Sequence, residues 1–121
     1  MNATPLKLVF FICVLATLQA CQQQRPQTWV FIMAGQSNMA GRGVVQPQDT
    51  VTNPRILTID SLGNVIKAKE PLHFYEPSRV GLDCGLSFAK TLLPELPEND
   101  TIMIIPTAVG GSAMSQWLGD S

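Results

Sequence analysis

Two uninterrupted apolar runs, each opening into a glycine-bearing turn, restrict what this chain can fold into more than any other feature. The first, Trp29-Val30-Phe31-Ile32-Met33-Ala34, breaks at Gly35 into Gln36-Ser37-Asn38. The second, Thr101-Ile102-Met103-Ile104-Ile105-Pro106, leads into Ala108-Val109-Gly110-Gly111-Ser112. Short continuous runs of this kind read as strands covered on both faces. Between them, Leu82, Leu86, Ala89 and Leu93 share one side of a helix expected to start at Asp83 as cap and to run to about Leu93. Pro94 and Pro97 stop it. Strand, helix, strand in that order is a crossover connection, so the expected class is α/β with a parallel sheet and helices on its faces. Ligands of such sheets bind beyond the carboxyl ends of the strands, where both turns fall.

The intervening segments are less regular. Val44 to Pro54 is expected to be loop, given Pro47, Asp49, Thr50, Asn53 and Pro54. Arg55–Asp60 has strand character, Ser61-Leu62-Gly63-Asn64 is a turn, and Val65–Ala68 reads as a short return strand. This pair is expected to be an excursion outside the main sheet. Lys69 to Val80 is irregular and contains His73, the sole histidine.

The amino terminus stands apart. Lys7 precedes an apolar run from Leu8 to Leu18 that is too short to span a bilayer comfortably, and Leu18-Gln19-Ala20-Cys21 follows. Residues 1–20 are therefore expected to be a secretory signal ending in a lipobox. The pattern resembles that of bacterial lipoproteins, which implies a lipidated Cys21, an exported domain at the periplasm or outer surface, and membrane contact through that anchor only. Residues 21–28 form a polar tether, leaving 29–121 as the folded part. The chain's net charge of −1 and its lack of a basic stripe exclude nucleic acid as a natural partner. With Cys13 in the signal and Cys21 lipidated, Cys84 is alone, and is expected to be a small buried hydrophobe. One histidine and one cysteine make no zinc site, and no metal or organic cofactor is expected.

Ser37 is the candidate nucleophile. A buried strand fixes its position, Gly35 permits the tight turn, and amides at the start of the next turn face whatever the hydroxyl attacks. The alternative is a strand-to-helix turn with a capping serine. Other motifs fail on spacing: Gly35 to Gly41 lacks the Lys-Ser/Thr of a phosphate loop, and Met39 stands where a nucleophile elbow needs its second glycine. Gln36 and Asn38 are candidates to orient substrate or to buttress the serine.

The string Gly35-Gln36-Ser37-Asn38-Met39 resembles the first motif of the sialate O-acetylesterase and acetyl-xylan esterase type of carbohydrate esterase, within the SGNH-hydrolase superfamily. Pro71-Leu72-His73-Phe74, Val80 to Ala89, and Ile104 to Trp117 with Gly110-Gly111-Ser112 are similar to later stretches of the same family. The resemblance implies a flavodoxin-like three-layer α/β fold and a serine esterase acting on acetylated carbohydrate of sialic acid or xylan type. It implies Ser37 as nucleophile and its own N–H as one oxyanion donor. Gly85 is the best match for the second donor and Gly81 the runner-up. Gly110, Gly111 and Ser112 would line the crevice; Trp117 either packs, the commoner role of a tryptophan after such a turn, or offers a face for a sugar ring, and Arg42, by its position alone, is a candidate to hold the carbohydrate or its carboxylate.

The family's base histidine follows an aspartate by three residues, and no aspartate of this chain has that partner. His73 matches the Pro-Leu-His-Phe stretch, so a structural or substrate-lining role is expected of it. The Gln-Gly-Glu motif is also missing. The expectation is therefore the amino-terminal part of such an esterase, truncated at its carboxyl end and inactive or nearly so alone. A non-catalytic carbohydrate-binding surface lipoprotein and a merely structural α/β lipoprotein are the alternatives.

Overall fold

A computed structural model describes residues 25–118; the signal read in 1–20 and the lipidation expected at Cys21 lie outside the described residues. Four strands are β1 (Thr28–Met33), β2 (Ile56–Ile59), β3 (Val65–Lys67) and β4 (Thr101–Pro106). The α-helices are α1 (Ser37–Ala40), α2 (Gly85–Leu92) and α3 (Met114–Trp117), with single 3-10 turns at Pro47–Thr50 and Leu93–Glu95. Sheet order is β1-β4-β2-β3. β4 is parallel to both β1 and β2, and β3 returns antiparallel to β2.

The apolar run of β4 becomes a central strand because it has partners on both sides. Thr28 to Met33 pair in register with Thr101 to Pro106, and Ile56 to Thr58 with Ile102 to Ile104. One face of this sheet carries the core: Met33, Ile56, Ile102 and Ile104 pack with Ala68 and Leu72, and with Leu86, Ala89 and Leu93 from the helical side. The helix repeat brings Leu86 and Ala89 down onto the strands. Phe31 meets Phe88 edge to face at 4.9 Å. The helix ends at Leu92 and tightens into the 3-10 turn over Leu93-Pro94-Glu95. Asp83 serves its first turn from two residues ahead, its Oδ1 accepting the Gly85 N–H at 2.7 Å, while Cys84 occupies the cap position itself.

Two expectations need correction. The hairpin at 55–68 is not an excursion: β2 pairs directly with β4, so the hairpin extends the main sheet. Ile56 and Thr58 are buried on the core face, and this alternation draws the strand in. β1 is not covered on both faces either. It is an edge strand, and Val30 and Ile32 are 59% and 68% exposed. α2 covers the face of Phe31 and Met33, and among the described residues nothing comparable covers the opposite one.

At the amino ends of the strands, Asp100 ties three of them together. Its buried carboxylate accepts the Trp29 indole N–H and the Gln27 amide, both at 2.9 Å. Its carbonyl accepts Arg55 Nε–H at 2.7 Å, just before β2. The Trp29 indole first, then the Gln27 amide, hold this carboxyl below its ordinary value of 3.8. A depressed folded pKa means stability that is present above pH 3.8 and lost as the pH falls through the folded value. Asp100→Asn is therefore expected to lower the thermal midpoint at pH 7, with the gap from wild type closing once the pH drops below about 3.8, in circular-dichroism melts across a pH series.

Candidate functional site

The turns after β1 and β4 are laced to each other by their backbones. Met33 O accepts the Thr107 N–H at 3.2 Å and the Thr107 hydroxyl at 3.0 Å. Gly35 O accepts the Val109 N–H at 3.1 Å and the Ser112 hydroxyl at 3.4 Å. Parallel pairing ends both strands at one edge, and these bonds continue the pairing into the turns. Ser37 is the first residue of α1 and is half-buried, with Gln36 and Asn38 exposed on either side. The Met39 and Ala40 amides both return to Gln36 O at 2.9 Å. The Ser37 and Asn38 amides precede these bonds and are the first-turn donors a helix leaves unpaired.

α1 is seated on the segment that enters α2. Ala40 is buried, and Gly41 lies so close to Gly81 and Leu82 that a Cβ would come within 2.7 Å of Leu82 O. Gly43 and Leu82 exchange backbone bonds of 3.1 and 2.8 Å. Cys84 is not buried as expected. It is exposed at the start of α2, with Sγ 3.7 Å from Met39 Sδ, because the glycine beside it takes the inward position. Gly85 is buried, and a Cβ there would strike the Met33 sulfur.

His73 joins these parts from beneath. It is 2% exposed, with Nδ1 3.0 Å from Asp83 Oδ2. The Ala108 amide donates to its Nε2 at 3.3 Å. An amide only donates, so Nε2 is bare and Nδ1–H is the donor to Asp83. Asp83 in turn holds the Gly85 N–H. The imidazole thus links the 71–74 segment, the start of α2 and the turn after β4, and neither nitrogen is left for Ser37. Of the two roles expected for His73, the structural one fits this placement.

The same bonds change the role open to Gly85. Its amide is committed to Asp83, and that of Gly81 donates to Gly41 O at 3.3 Å. Both candidate second donors are therefore spent on holding the loops together in this arrangement.

A further carboxylate, Glu76, fixes the glycine turn. Its Oε2 accepts the Gly110 N–H at 2.9 Å and Arg42 Nη2–H at 2.7 Å, while Arg42 Nη1–H reaches Gly41 O at 2.9 Å. The Arg42 hydrogen bond holds the Glu76 carboxyl below its ordinary range. Arg42 thus acts on a neighbouring loop, and Gly110 is a close-approach position where a Cβ would meet both Arg42 and Glu76. Gly111 takes a positive φ of 75° that lets the turn close. Sequence reasoning missed Glu76, whose partners are 34 positions away in either direction.

Two open clefts flank this turn. The larger, about 480 Å³, is lined by Tyr75, Thr107, Gly110, Ser112, Gln116 and Trp117. The smaller, about 320 Å³, is lined by Ala34, Gly35, Gln36, Ser112, Met114 and Trp117. Ser112 and Trp117 belong to both. Among the described residues no group of three or more His, Cys, Asp or Glu converges to hold a metal ion.

Residues 27–121 match the family described as carbohydrate esterase, sialic acid-specific acetylesterase. The chain is 31% identical over 113 residues to a protein of Arabidopsis thaliana named "Probable carbohydrate esterase At4g34215", covering 79% of this chain and 44% of that protein. The X-ray structure of the Arabidopsis protein AT4G34215 superposes with a TM-score of 0.65 at 31% identity, over 76% of this chain and 44% of that one. The crystal structure of NanS superposes with a TM-score of 0.58 at 25% identity, over 74% and 37%. The chain spans less than half the length of the relatives it matches.

One buried group near the bridge titrates in an accessible range. Glu70 is 2% exposed, its Oε2 accepts the Leu72 N–H at 3.2 Å, and its Oε1 has no protein partner. Burial first, then the Asp83 charge, push its carboxyl from 4.5 up to about 7. The folded protein holds this proton more tightly than the unfolded chain, so the associated stability is present below pH 4.5 and lost as the pH rises through about 7. Glu70→Gln removes that dependence. Its thermal midpoint at pH 8 is expected to exceed that of wild type by roughly 5 °C or more, with the two converging near pH 4.5.

Proposed function

The chain belongs to the sialic acid-specific acetylesterase family of carbohydrate esterases, and from that premise we propose that it supplies the nucleophile-bearing half of a serine esterase removing O-acetyl groups from sugars. The observation that carries this reading is the place of Ser37. It opens α1 at the carboxyl end of β1, beside the glycine turn that ends β4.

In this reading the Ser37 hydroxyl attacks the acetyl carbonyl while a base takes its proton. The base is supplied by an Asp-x-x-His of the kind its family carries, from polypeptide other than the described residues. The oxyanion is received by the first-turn amides of Ser37 and Asn38, since those of Gly85 and Gly81 are occupied. The C–O bond to the sugar breaks, the sugar oxygen takes the proton from the base, and an acetyl-serine remains. Water, deprotonated by the same base, releases acetate and restores Ser37. Gln36 and Asn38 border the attack point, and Gly110 and Gly111 shape the opposing wall. The sugar is of sialic acid or xylan type. We further propose export by the leader in 1–20 and anchoring by a lipid on Cys21, which the mass of the mature amino terminus tests.

A fluorophosphonate probe is expected to label the full-length protein and to lose that labelling in Ser37→Ala, with acetate release from acetylated xylan or O-acetylated sialic acid falling at least about a thousandfold. The 121-residue chain alone is expected to release little or no acetate. Equal labelling of wild type and Ser37→Ala would remove Ser37 as nucleophile. Sugar binding without any labelling would favour a non-catalytic carbohydrate-binding lipoprotein.

A further inference from the structure

We propose that Ser112 and Trp117 are positioning residues for the nucleophile turn. The Trp117 indole N–H and the Ser112 hydroxyl form a relay that fixes the Gly35 carbonyl and, through the Gly35–Gln36 peptide, the aim of Ser37. The consequence for rate rests on the esterase reading above; the relay itself rests on the bonds.

α1 cannot fix its own start. It is a single turn of four residues, too short to hold its shape without outside support. Gln36, at its cap position, makes no side-chain cap hydrogen bond. The carboxyl end is seated where Gly41 meets Gly81 and Leu82, which leaves the amino end, where Ser37 stands, to be held from elsewhere. The tie falls one residue before the cap. Gly35 O accepts both the Val109 N–H at 3.1 Å and the Ser112 hydroxyl at 3.4 Å. A peptide group is planar, so a carbonyl fixed at Gly35 also fixes the direction of the Gln36 N–H and narrows the ways the chain can enter the helix.

Chemistry sets the direction of the relay. An indole N–H only donates, and Trp117 gives its own to Ser112 Oγ at 3.0 Å. The hydroxyl has one proton and spends it on Gly35 O. A hydroxyl that accepts while it donates is a stronger donor, so the indole reinforces a bond that is long at 3.4 Å. Trp117 keeps 40% of its surface exposed, so a place in the core does not explain where its edge points. The clamp is assembled in advance. Ser112 N–H closes the turn on Val109 O at 3.3 Å, so the first amide and the last hydroxyl of one turn grip the same carbonyl. Glu76 holds Gly110 in the middle of that turn. Gln116 Oε1 accepts the Ala113 N–H at 2.6 Å and fixes the start of α3, the helix that carries Trp117.

The test reads the turn and the rate separately. In proton–nitrogen NMR spectra of the full-length protein, Trp117→Phe and Ser112→Ala are each expected to shift the Gln36 and Ser37 amide peaks, Ser112→Ala further along the same line. The Trp29 indole peak, bonded to Asp100 at the far end of the sheet, should stay in place and certifies the fold. Fluorophosphonate labelling of Ser37 and kcat for acetate release should fall about tenfold in Ser112→Ala and about threefold in Trp117→Phe, with KM nearly unchanged. The double variant should be no slower than Ser112→Ala alone, since both changes break one relay. Ser112→Thr, which keeps the hydroxyl, should recover most of the rate. Unmoved Gln36 and Ser37 amides, a change of KM instead of kcat in Trp117→Phe, or losses that multiply in the double variant would overturn the relay. If Ser37 is labelled at one rate in every form, the relay fails and the esterase reading stands. If the two amides move as expected and Ser37 is never labelled in wild type, the relay stands and the esterase reading falls.

Discussion

One buried imidazole holds the carboxyl edge of the sheet together. His73 donates to Asp83 and accepts from Ala108, and Asp83 passes the connection to the amide of Gly85. Without it, three segments that meet at the sheet's carboxyl edge would each have to satisfy a buried polar group separately. Burying such groups costs little only when every donor finds an acceptor, and this chain of bonds meets that condition. The catalytic question is shaped by the same fact. A histidine whose two nitrogens are spoken for cannot also take the proton of Ser37, so the single histidine of the chain is a fixture of the scaffold.

The two ends of the sheet are stabilised by different means. At the amino ends, Asp100 gathers Trp29, Gln27 and Arg55 around one residue. At the carboxyl ends, the bonds run through loops: Gly35 to Val109 and Ser112, Gly110 to Glu76, Glu76 to Arg42. Loops held in this way stay open to solvent while keeping their shape, which is what a crevice for a polar ligand requires. Among the described residues the face of β1 that carries Val30 and Ile32 is open. The described layers are one sheet with helix on one face.

How much of this was legible beforehand depended on how local each cause is. The strands at 28–33 and 101–106 were visible as continuous apolar runs, and the turns after them as glycine clusters beside polar residues. Their shared edge followed from the crossover rule. The place of β2 was not visible, because a hairpin carries the same turn chemistry inside a sheet as outside it; only its pairing with β4 decides. Asp83 was readable as a helix-start residue, yet its second oxygen bonds a histidine ten positions earlier, which no local pattern encodes. Arg42 and Glu76 were hidden for the same reason, and so was the loss of Gly85 as a free donor. The hydrogen-bond partners of these residues lie far away in the chain, so no local pattern encodes them.

The account therefore turns on whether the imidazole bridge sets the geometry of both glycine-bearing turns. Amide hydrogen exchange in wild type and His73→Ala measures this directly. The account predicts that the Ala108 and Gly85 amides, slow in wild type, become fast together in the variant, while Ile104 in the centre of β4 stays protected. Unchanged protection at Ala108 and Gly85 in a folded His73→Ala protein would contradict it.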